Sequence, residues 1–457
     1  MGKGQAGLWP PPPWREVFRG RRGRLTAGLL LLEALGAVET LIVTTIMPAV
    51  LNDLGAIQLY GWAFSASALA TFATIPIAGR ATDRFGPRKP LGLSFVVYIA
   101  GLVLSGIAPS MLVLVLGRFF QGCAGGVFFS VSLGTVAKSY PEELRPRALA
   151  LLASMWILPG LVGPPLGALL ASTVGWRWAF IGPIPFMALA GALILLSMRE
   201  VRIEPDAKAT FQVRWPVQLM AGAGLLLAGL TELSLWSLVL VPAGIAIGLR
   251  ALARITPPGT FRARTGLPAA AMAAFLLSAA YGATEGFVPL MLTSVRHLSV
   301  GKASIILILV ATCWAVGSWW QSRQMQRLGP VPLVVIGAAM VAVGIAGGAT
   351  ALVSGPIAVP YVAWSIAGVG MGIAFPTIPL AVMGQATAGN EASQLSSTLL
   401  MATLGTGIGA GLGGASIAIA KNAGAGIGTG LAGAFAVGLV AVLALILVAR
   451  RLPRGAG

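Results

Sequence analysis

Apolar residues along this chain gather in runs of about twenty, the length of helix that crosses the hydrocarbon core of a bilayer, and polar connections close each run. The first six runs fall near 27–51, 59–79, 90–108, 111–136, 147–171 and 178–198. A polar stretch from Arg199 to Trp215 follows, then two shorter apolar segments, about 216–233 and 236–253, parted by a small polar break around Glu232. These two read as a transmembrane hairpin. Past a second polar stretch, Thr256 to Thr265, six more runs lie near 267–293, 300–320, 331–353, 357–383, 393–419 and 426–449. The pattern predicts an all-α integral membrane protein of about fourteen transmembrane helices. Its parts are a basic tail (1–24), a six-helix bundle (25–199), a linker carrying the hairpin at about 216–253 (200–265), a second six-helix bundle (266–450) and a short tail (451–457).

The two sets of six carry an internal repeat. "GAVET" at Gly36 to Thr40 returns as "GATEG" at Gly282 to Gly286, which aligns Glu39 with Glu285. The same shift aligns Gly122, Gly126 and Phe129 with Gly368, Gly372 and Phe375, and "RFGPRKPL" from Arg84 returns as "RLGPVPL" from Arg327. Duplicated helix bundles with a site between them are a common build for secondary transporters. The hairpin has no copy, which marks it as an insertion.

The formal net charge is +18, which in a soluble chain would suit a nucleic-acid binder. Its placement points elsewhere. With the amino terminus inside, 26 of the 31 Lys and Arg residues fall on one side of the spans. Arg177, Arg296, Lys302 and Lys421 fall on the other, and Arg118 lies within a span. This bias predicts a multi-pass protein of the plasma membrane with both termini in the cytoplasm, in contact with membrane lipids and not with nucleic acid. Composition agrees: 57% of residues are hydrophobic, only 10% charged, and the mean hydropathy is +0.88. The 61 glycines sit inside the apolar runs, where small residues let helices approach. Cys123 and Cys313 are far apart and unmotifed, so neither a disulfide framework nor a thiolate metal site is expected. The Pro10 to Pro13 run reads as a stiff cytoplasmic arm.

Several short motifs then narrow the class. The connection after the second span reads Gly79-Arg80-Ala81-Thr82-Asp83-Arg84-Phe85-Gly86-Pro87-Arg88 and resembles the cytoplasmic loop motif of the major facilitator superfamily. Its glycines suit a tight turn, its acid a neighbouring helix terminus and its basic residues the cytoplasmic face, so Gly79, Asp83, Arg84, Gly86 and Arg88 together suit a conformational latch. In the second set Gln326 replaces Asp83, which puts the stronger latch on the first. The fourth span's Leu116-Gly117-Arg118-Phe119-Phe120-Gln121-Gly122 resembles the motif whose arginine that superfamily associates with proton coupling. The fifth span, with Gly160, Gly163, Pro164 and Gly167, resembles the antiporter motif that shapes a helix at the interface of the two halves, although Pro159 and Ala168 stand where glycines are usual. Glu39-Thr40 through Pro48 in the first span, the loop Gly175-Trp176-Arg177-Trp178-Ala179-Phe180, and the hairpin resemble the fourteen-helix drug/proton antiporter subfamily. The resemblance covers residues 25 to 450. It implies a major-facilitator-like fold of two six-helix bundles plus the inserted hairpin.

No phosphate-cradling GxxxxGK[ST] occurs, and the single histidine, His297, supplies neither a metal cluster nor a nucleophile-base pair. The chain is therefore expected to be no enzyme, to need no cofactor and to draw on a proton gradient. Carboxylates at membrane depth are the natural carriers, because protonation cancels a charge that is costly in apolar surroundings. The candidates for proton coupling in the substrate cavity are Glu39, Glu285 and Glu33, with Arg118 as the intramembrane cation. Glu39 and Glu285 lie near the middle of equivalent helices, so the repeat would bring them to a central cavity from opposite halves, whereas Glu33 lies nearer the cytoplasmic end and about 240° around the helix from Glu39; Glu39 is the first choice. Trp62, Met155, Trp156 and Trp314 are further cavity candidates that would suit a lipophilic substrate. The reading is a proton-coupled exporter of a lipophilic or cationic drug-like small molecule, working as a monomer by alternating access. The alternatives are a proton-coupled importer of a small solute, an exporter of a lipid or amphipathic metabolite, and a non-transporting sensor.

Overall fold

The computed structural model describes residues 14–140, 144, 148, 151, 152, 154, 155, 157–198, 213–232, 234–353, 355–383 and 391–452. The Pro10 to Pro13 arm, Trp156, residues 199–212 and the last five residues lie outside the described residues. Among the described residues the structure is helical, with no strand. The first set comprises α1 (Gly20–Leu54), α2 (Tyr60–Phe85), α3 (Arg88–Gly106), α4 (Met111–Ser139), α5 (Ile157–Thr173) and α6 (Trp178–Ser197). The hairpin is α7 (Arg214–Glu232) and α8 (Ser237–Ile255). The second set comprises α9 (Leu267–Ser294), α10 (Val300–Leu328), α11 (Pro330–Gly348), α12 (Ala358–Met383), α13 (Glu391–Asn422) and α14 (Ile427–Ala449).

Twelve helices among the described residues are long and apolar enough to cross a membrane. The expected total of fourteen is not established, for a physical reason at each of the other two positions. The described part of α5 has 17 residues, and α7 carries Arg214, Gln218 and Glu232 within its 19. Both nevertheless pack as helices against their neighbours.

The two sets pack alike. α2 lies on α4, α3 on α4, α1 on α5 and α1 on α6; correspondingly α10 lies on α12, α11 on α12, α9 on α13 and α9 on α14. Glycines set the spacing at equivalent places. A Cβ at Gly122 would run into the backbone of Ser67 on α2, and one at Gly368 would come within 2.6 Å of the Val310 carbonyl on α10. The sets meet along two seams, α2 with α13 and α5 with α10, which are copies of one another under the repeat. At the first seam Gly61 and Gly414 cross so closely that a Cβ on Gly61 would fall 2.5 Å from the Gly414 Cα. Beside this crossing the Tyr60 hydroxyl of α2 donates to the Gly286 carbonyl of α9 at 3.0 Å, and Lys421 donates to Gln58 at 3.0 Å. The sets are thus joined at the end of the bundle that carries the α1–α2 connection.

The hairpin covers that same seam. Leu219 and Leu227 of α7 pack with Leu69 and Phe72 of α2 and with Met401 and Leu404 of α13 in a separate apolar cluster. At its far end Thr231 ties both sets: Trp62 Nε1 of α2 donates to its hydroxyl at 3.2 Å, and Asn422 of α13 donates to its carbonyl at 3.3 Å.

Candidate functional site

Glu39 lies just past the middle of α1, which runs unbroken past it, and Arg118 lies in the first half of α4. Packing of α1 through α4 brings the two together as an ion pair, with Glu39 only 7% and Arg118 only 8% exposed. Each carboxylate oxygen is used. Arg118 donates to Oε1 and the Tyr98 hydroxyl of α3 donates to Oε2. The guanidinium also donates to Gln121 Oε1 at 2.6 Å, one turn on, and through Nε to the Ala63 carbonyl of α2 at 3.2 Å. A lone guanidinium within a membrane span costs on the order of 3 kcal/mol, so three acceptors around it are what the low dielectric demands. Four helices therefore converge on one buried charge pair. The Tyr98 ring is in turn fixed against Phe128, 5.4 Å between centroids. Gln121 keeps a buried Nε2 with no partner among the described residues.

Glu285 has different surroundings. α9 breaks at the Gly282–Thr284 stretch, and Glu285 opens a single 3-10 turn to Phe287 before the helix resumes. Tyr281, one turn earlier, donates to Glu285 Oε1 at 3.0 Å, and among the described residues the carboxylate makes no ion pair. The position equivalent to Arg118 is Trp364, whose indole is 1% exposed. Its ring stacks on Tyr281, 6.0 Å between centroids and 12° between planes. Trp314 of α10 meets the Tyr281 ring edge-on at 5.6 Å and Phe375 of α12 at 5.7 Å. Tyr281, which holds the acid, is thus packed in a group of four aromatic rings from three helices, and the acid has no counter-ion among the described residues. Glu33 is half-buried, six residues before Glu39, and is itself partnered.

The remaining sequence candidates scatter by role. Gly86 takes φ +74° at the end of α2, a backbone that favours glycine, and so makes the sharp turn into α3. Arg84 and Arg88 are exposed there, Arg84 with its guanidinium 5.4 Å from the Phe85 ring centroid. Gly79 faces Ser130 of α4, and the side chain of Asp83 lies outside the described residues. On α5, Gly163 and Gly167 lie against Leu41 and Thr45 of α1, Gly160 lies against Ala311 of α10, and Pro164 sits inside the helix. That face joins α1 to the second seam. Trp314 belongs to the aromatic group around Tyr281, whereas Trp62 is engaged by Thr231 of the hairpin. Two residues of the first charge centre, Tyr98 and Gln121, were not predicted as site residues. Gln121 stands inside the fourth-span motif, while a tyrosine in an apolar run gives no signal of its own. Near the α1–α2 end the Trp176-Arg177 loop closes on Asp53: the indole donates at 3.0 Å and the guanidinium at 2.7 Å.

Away from both acids, a crevice of about 650 Å³ opens along the second seam between α1, α5 and α10, lined by Ala49, Pro165, Leu169, Ser172, Ser304 and Ile305 among others.

A sequence model described as Major Facilitator Superfamily matches residues 29–410. A protein of Mycobacterium tuberculosis named a probable multidrug-efflux transporter is 27% identical over 96% of this chain and 98% of its own. A multidrug transporter protein of Bacillus subtilis is 22% identical over 80% of this chain and 70% of its own. Among solved structures, a D-xylose–proton symporter superposes with a TM-score of 0.67 at 15% identity, over 95% of this chain and 99% of its own. An auto-inhibited peptide transporter superposes with a TM-score of 0.68 at 16% identity, over 94% and 97%. These structural likenesses concern the fold alone.

Proposed function

The chain belongs to the major facilitator superfamily, and on that premise we propose that it is a proton-coupled antiporter exporting lipophilic, drug-like small molecules across the plasma membrane. Membership makes it a multi-pass membrane transporter and not an enzyme, in a family whose transport generally needs no cofactor. The names of the relatives support drug-like substrates. The observation that carries the coupling is the buried Glu39–Arg118–Tyr98 centre, a titratable acid on which four helices of the first set depend.

The proposed cycle follows from what a proton does at that centre. While Glu39 is ionised, its charge holds Arg118, and through Arg118 it holds Ala63 of α2 and Gln121 of α4. A proton arriving from outside cancels the carboxylate charge, removes the ion pair and leaves the guanidinium to its two neutral acceptors. The arrangement of α1, α2 and α4 is then no longer favoured by charge. Because α2 forms the first seam with α13, and α1 packs on both α5 and α10 of the second, a change of their packing changes how the two bundles, residues 25–199 and 266–450, lie on each other. The antiporter gains by binding the proton in one state and the substrate in the other, and reciprocal coupling is thermodynamically required. With the termini in the cytoplasm, the seal at Tyr60, Gly61 and Gln58 faces outward. The loop from Gly79 to Arg88 would act as the latch at the opposite, cytoplasmic end, and the chain is read as a monomer.

The test is Glu39→Gln in proteoliposomes. The neutral isostere should abolish substrate movement driven by a pH gradient and leave substrate exchange in place. Gradient-driven transport at the wild-type rate in Glu39→Gln would remove Glu39 from the mechanism.

A further inference from the structure

The hairpin meets the second bundle at the end opposite the Thr231 clamp, and that end is crowded with arginine. Arg214 opens α7, Arg250 and Arg254 lie in the last turns of α8, Arg262 and Arg264 stand on the connection to α9, and Arg451 follows α14. All of these are exposed, and none makes an ion pair with a described residue. The linker brings Glu200, Glu204 and Asp206 but also Arg199, Arg202 and Lys208, so its own charge is zero and the cluster stays uncompensated.

Two features turn this basic end into a built site. Arg214 and Arg254 come from different helices to one ring, with guanidinium carbons 5.0 and 5.6 Å from the Trp215 centroid. Trp215 is itself set by an apolar cluster that includes Leu219 of α7, Ala251 of α8 and Ala271 of α9. Each cation gains from the ring, but two like charges beside it repel, and an anion there replaces repulsion by attraction. The α8–α9 connection is held as well. Arg451 donates to the Arg262 and Ala263 carbonyls at 2.7 and 3.4 Å, and its own carbonyl accepts the Gly266 N–H at 3.3 Å. These bonds fix Ala263 at φ +43°, a backbone that alanine rarely takes. On this pinned loop Phe261 stands 49% exposed beside Arg262.

We propose that the arginine end of the hairpin is a binding site for an anionic phospholipid, with its phosphate on Arg214 and Arg254 and its acyl chains along α8. A guanidinium fork takes two phosphate oxygens at once. Aromatic residues where apolar helices end mark the membrane interface, which suits Trp215 and Phe261. Along α8, Leu240, Ile247, Arg250 and Arg254 recur at helical spacing on one stripe, so apolar surface leads straight to the guanidiniums. A soluble phosphate would leave that stripe and Phe261 unused. A choline headgroup would add a cation where cations already crowd. The bound lipid would tie the insertion to the second bundle, since Trp215 joins α7, α8 and α9 and the pinned loop joins α9 to the end of α14. The site is separate from Glu39 and from whatever substrate the protein carries, so it stands or falls apart from the antiporter reading.

Native mass spectrometry of the purified full chain in a neutral detergent counts bound lipids directly. The wild type should bind its first dioleoyl phosphatidylglycerol at least about tenfold more tightly than dioleoyl phosphatidylcholine. Arg254→Gln should lower that preference about threefold, and Arg214→Gln with Arg254→Gln should bring it to within about twofold of none. Arg323→Gln with Arg327→Gln is the control. It removes two exposed charges from the same side of the membrane, one of them 3.6 Å from the Trp319 ring, and should keep the wild-type preference. Because Arg214 and Arg254 are exposed, their variants should unfold at the wild-type temperature in phosphatidylcholine, which shows them folded. Glycerol 3-phosphate should not displace the bound lipid. No preference in the wild type, a preference that survives loss of both Arg214 and Arg254, an equal loss in the Arg323 and Arg327 control, or displacement by glycerol 3-phosphate would each overturn the assignment.

Discussion

Arg118 touches Glu39, Gln121 and the Ala63 carbonyl at once, so removing it strands a buried carboxylate while removing both charges does not. Arg118→Met should cost about 3–5 kcal/mol of stability, and Arg118→Met combined with Glu39→Gln should cost less than Arg118→Met alone. Denaturant unfolding of the four proteins of this cycle, in detergent, measures the coupling; strict additivity would mean the pair contributes nothing as a pair. At this scale the sequence was informative where charge was rare. In apolar runs Glu39, Glu285 and Arg118 stand out because lipid excludes such residues unless they are needed. Tyr98 did not stand out, because a tyrosine in a span is ordinary and its partner is 59 positions away. Asp53 was missed for the same reason: its partners Trp176 and Arg177 are distant in sequence and meet it only through the fold.

Helix boundaries show what hydropathy reads and what it leaves out. α1 starts at Gly20 instead of 27, and α10 runs on to Leu328 instead of 320. Apolar length reports membrane thickness, whereas a helix continues into water as long as its residues favour helix, as Gln321 to Arg327 do. The break in α9 at Glu285 was likewise not marked by hydropathy, although Gly282 and Gly286 around it permit it. The repeat, by contrast, carried through to packing. Gly122 and Gly368 each hold a helix pair at backbone distance, so Gly122→Val and Gly368→Val should each destabilise by about 1–3 kcal/mol or more. Thermal unfolding should place both well below wild type; a neutral Gly368→Val would break the equivalence of α12 with α4. The hairpin's clamp is weaker. Thr231→Val removes the acceptor for Trp62 and should cost about 1 kcal/mol in the same assay, while leaving the Asn422 bond to its carbonyl.

For the whole molecule, the segregated charge makes a prediction about sidedness. A cysteine at the exposed Lys421 position should react with a membrane-impermeant maleimide in intact cells, and one at the exposed Arg327 position should react only after the cells are opened. The reverse pattern would turn the protein over and place the Tyr60–Gly286 seal on the cytoplasmic side. The architecture was legible because each half repeats the other and because lipid permits few alternatives to helix. The exact number of spans was not, since α5 and α7 owe their place to packing as much as to apolar length. The central claim joins proton and substrate movement in one protein, and flux measures that most directly. Liposomes containing the reconstituted chain, a luminal pH-sensitive dye and ethidium, with no initial pH gradient, should acidify inside as ethidium leaves, and Glu39→Gln should abolish the acidification. Ethidium leaving through the wild-type protein with no change of luminal pH would contradict proton antiport.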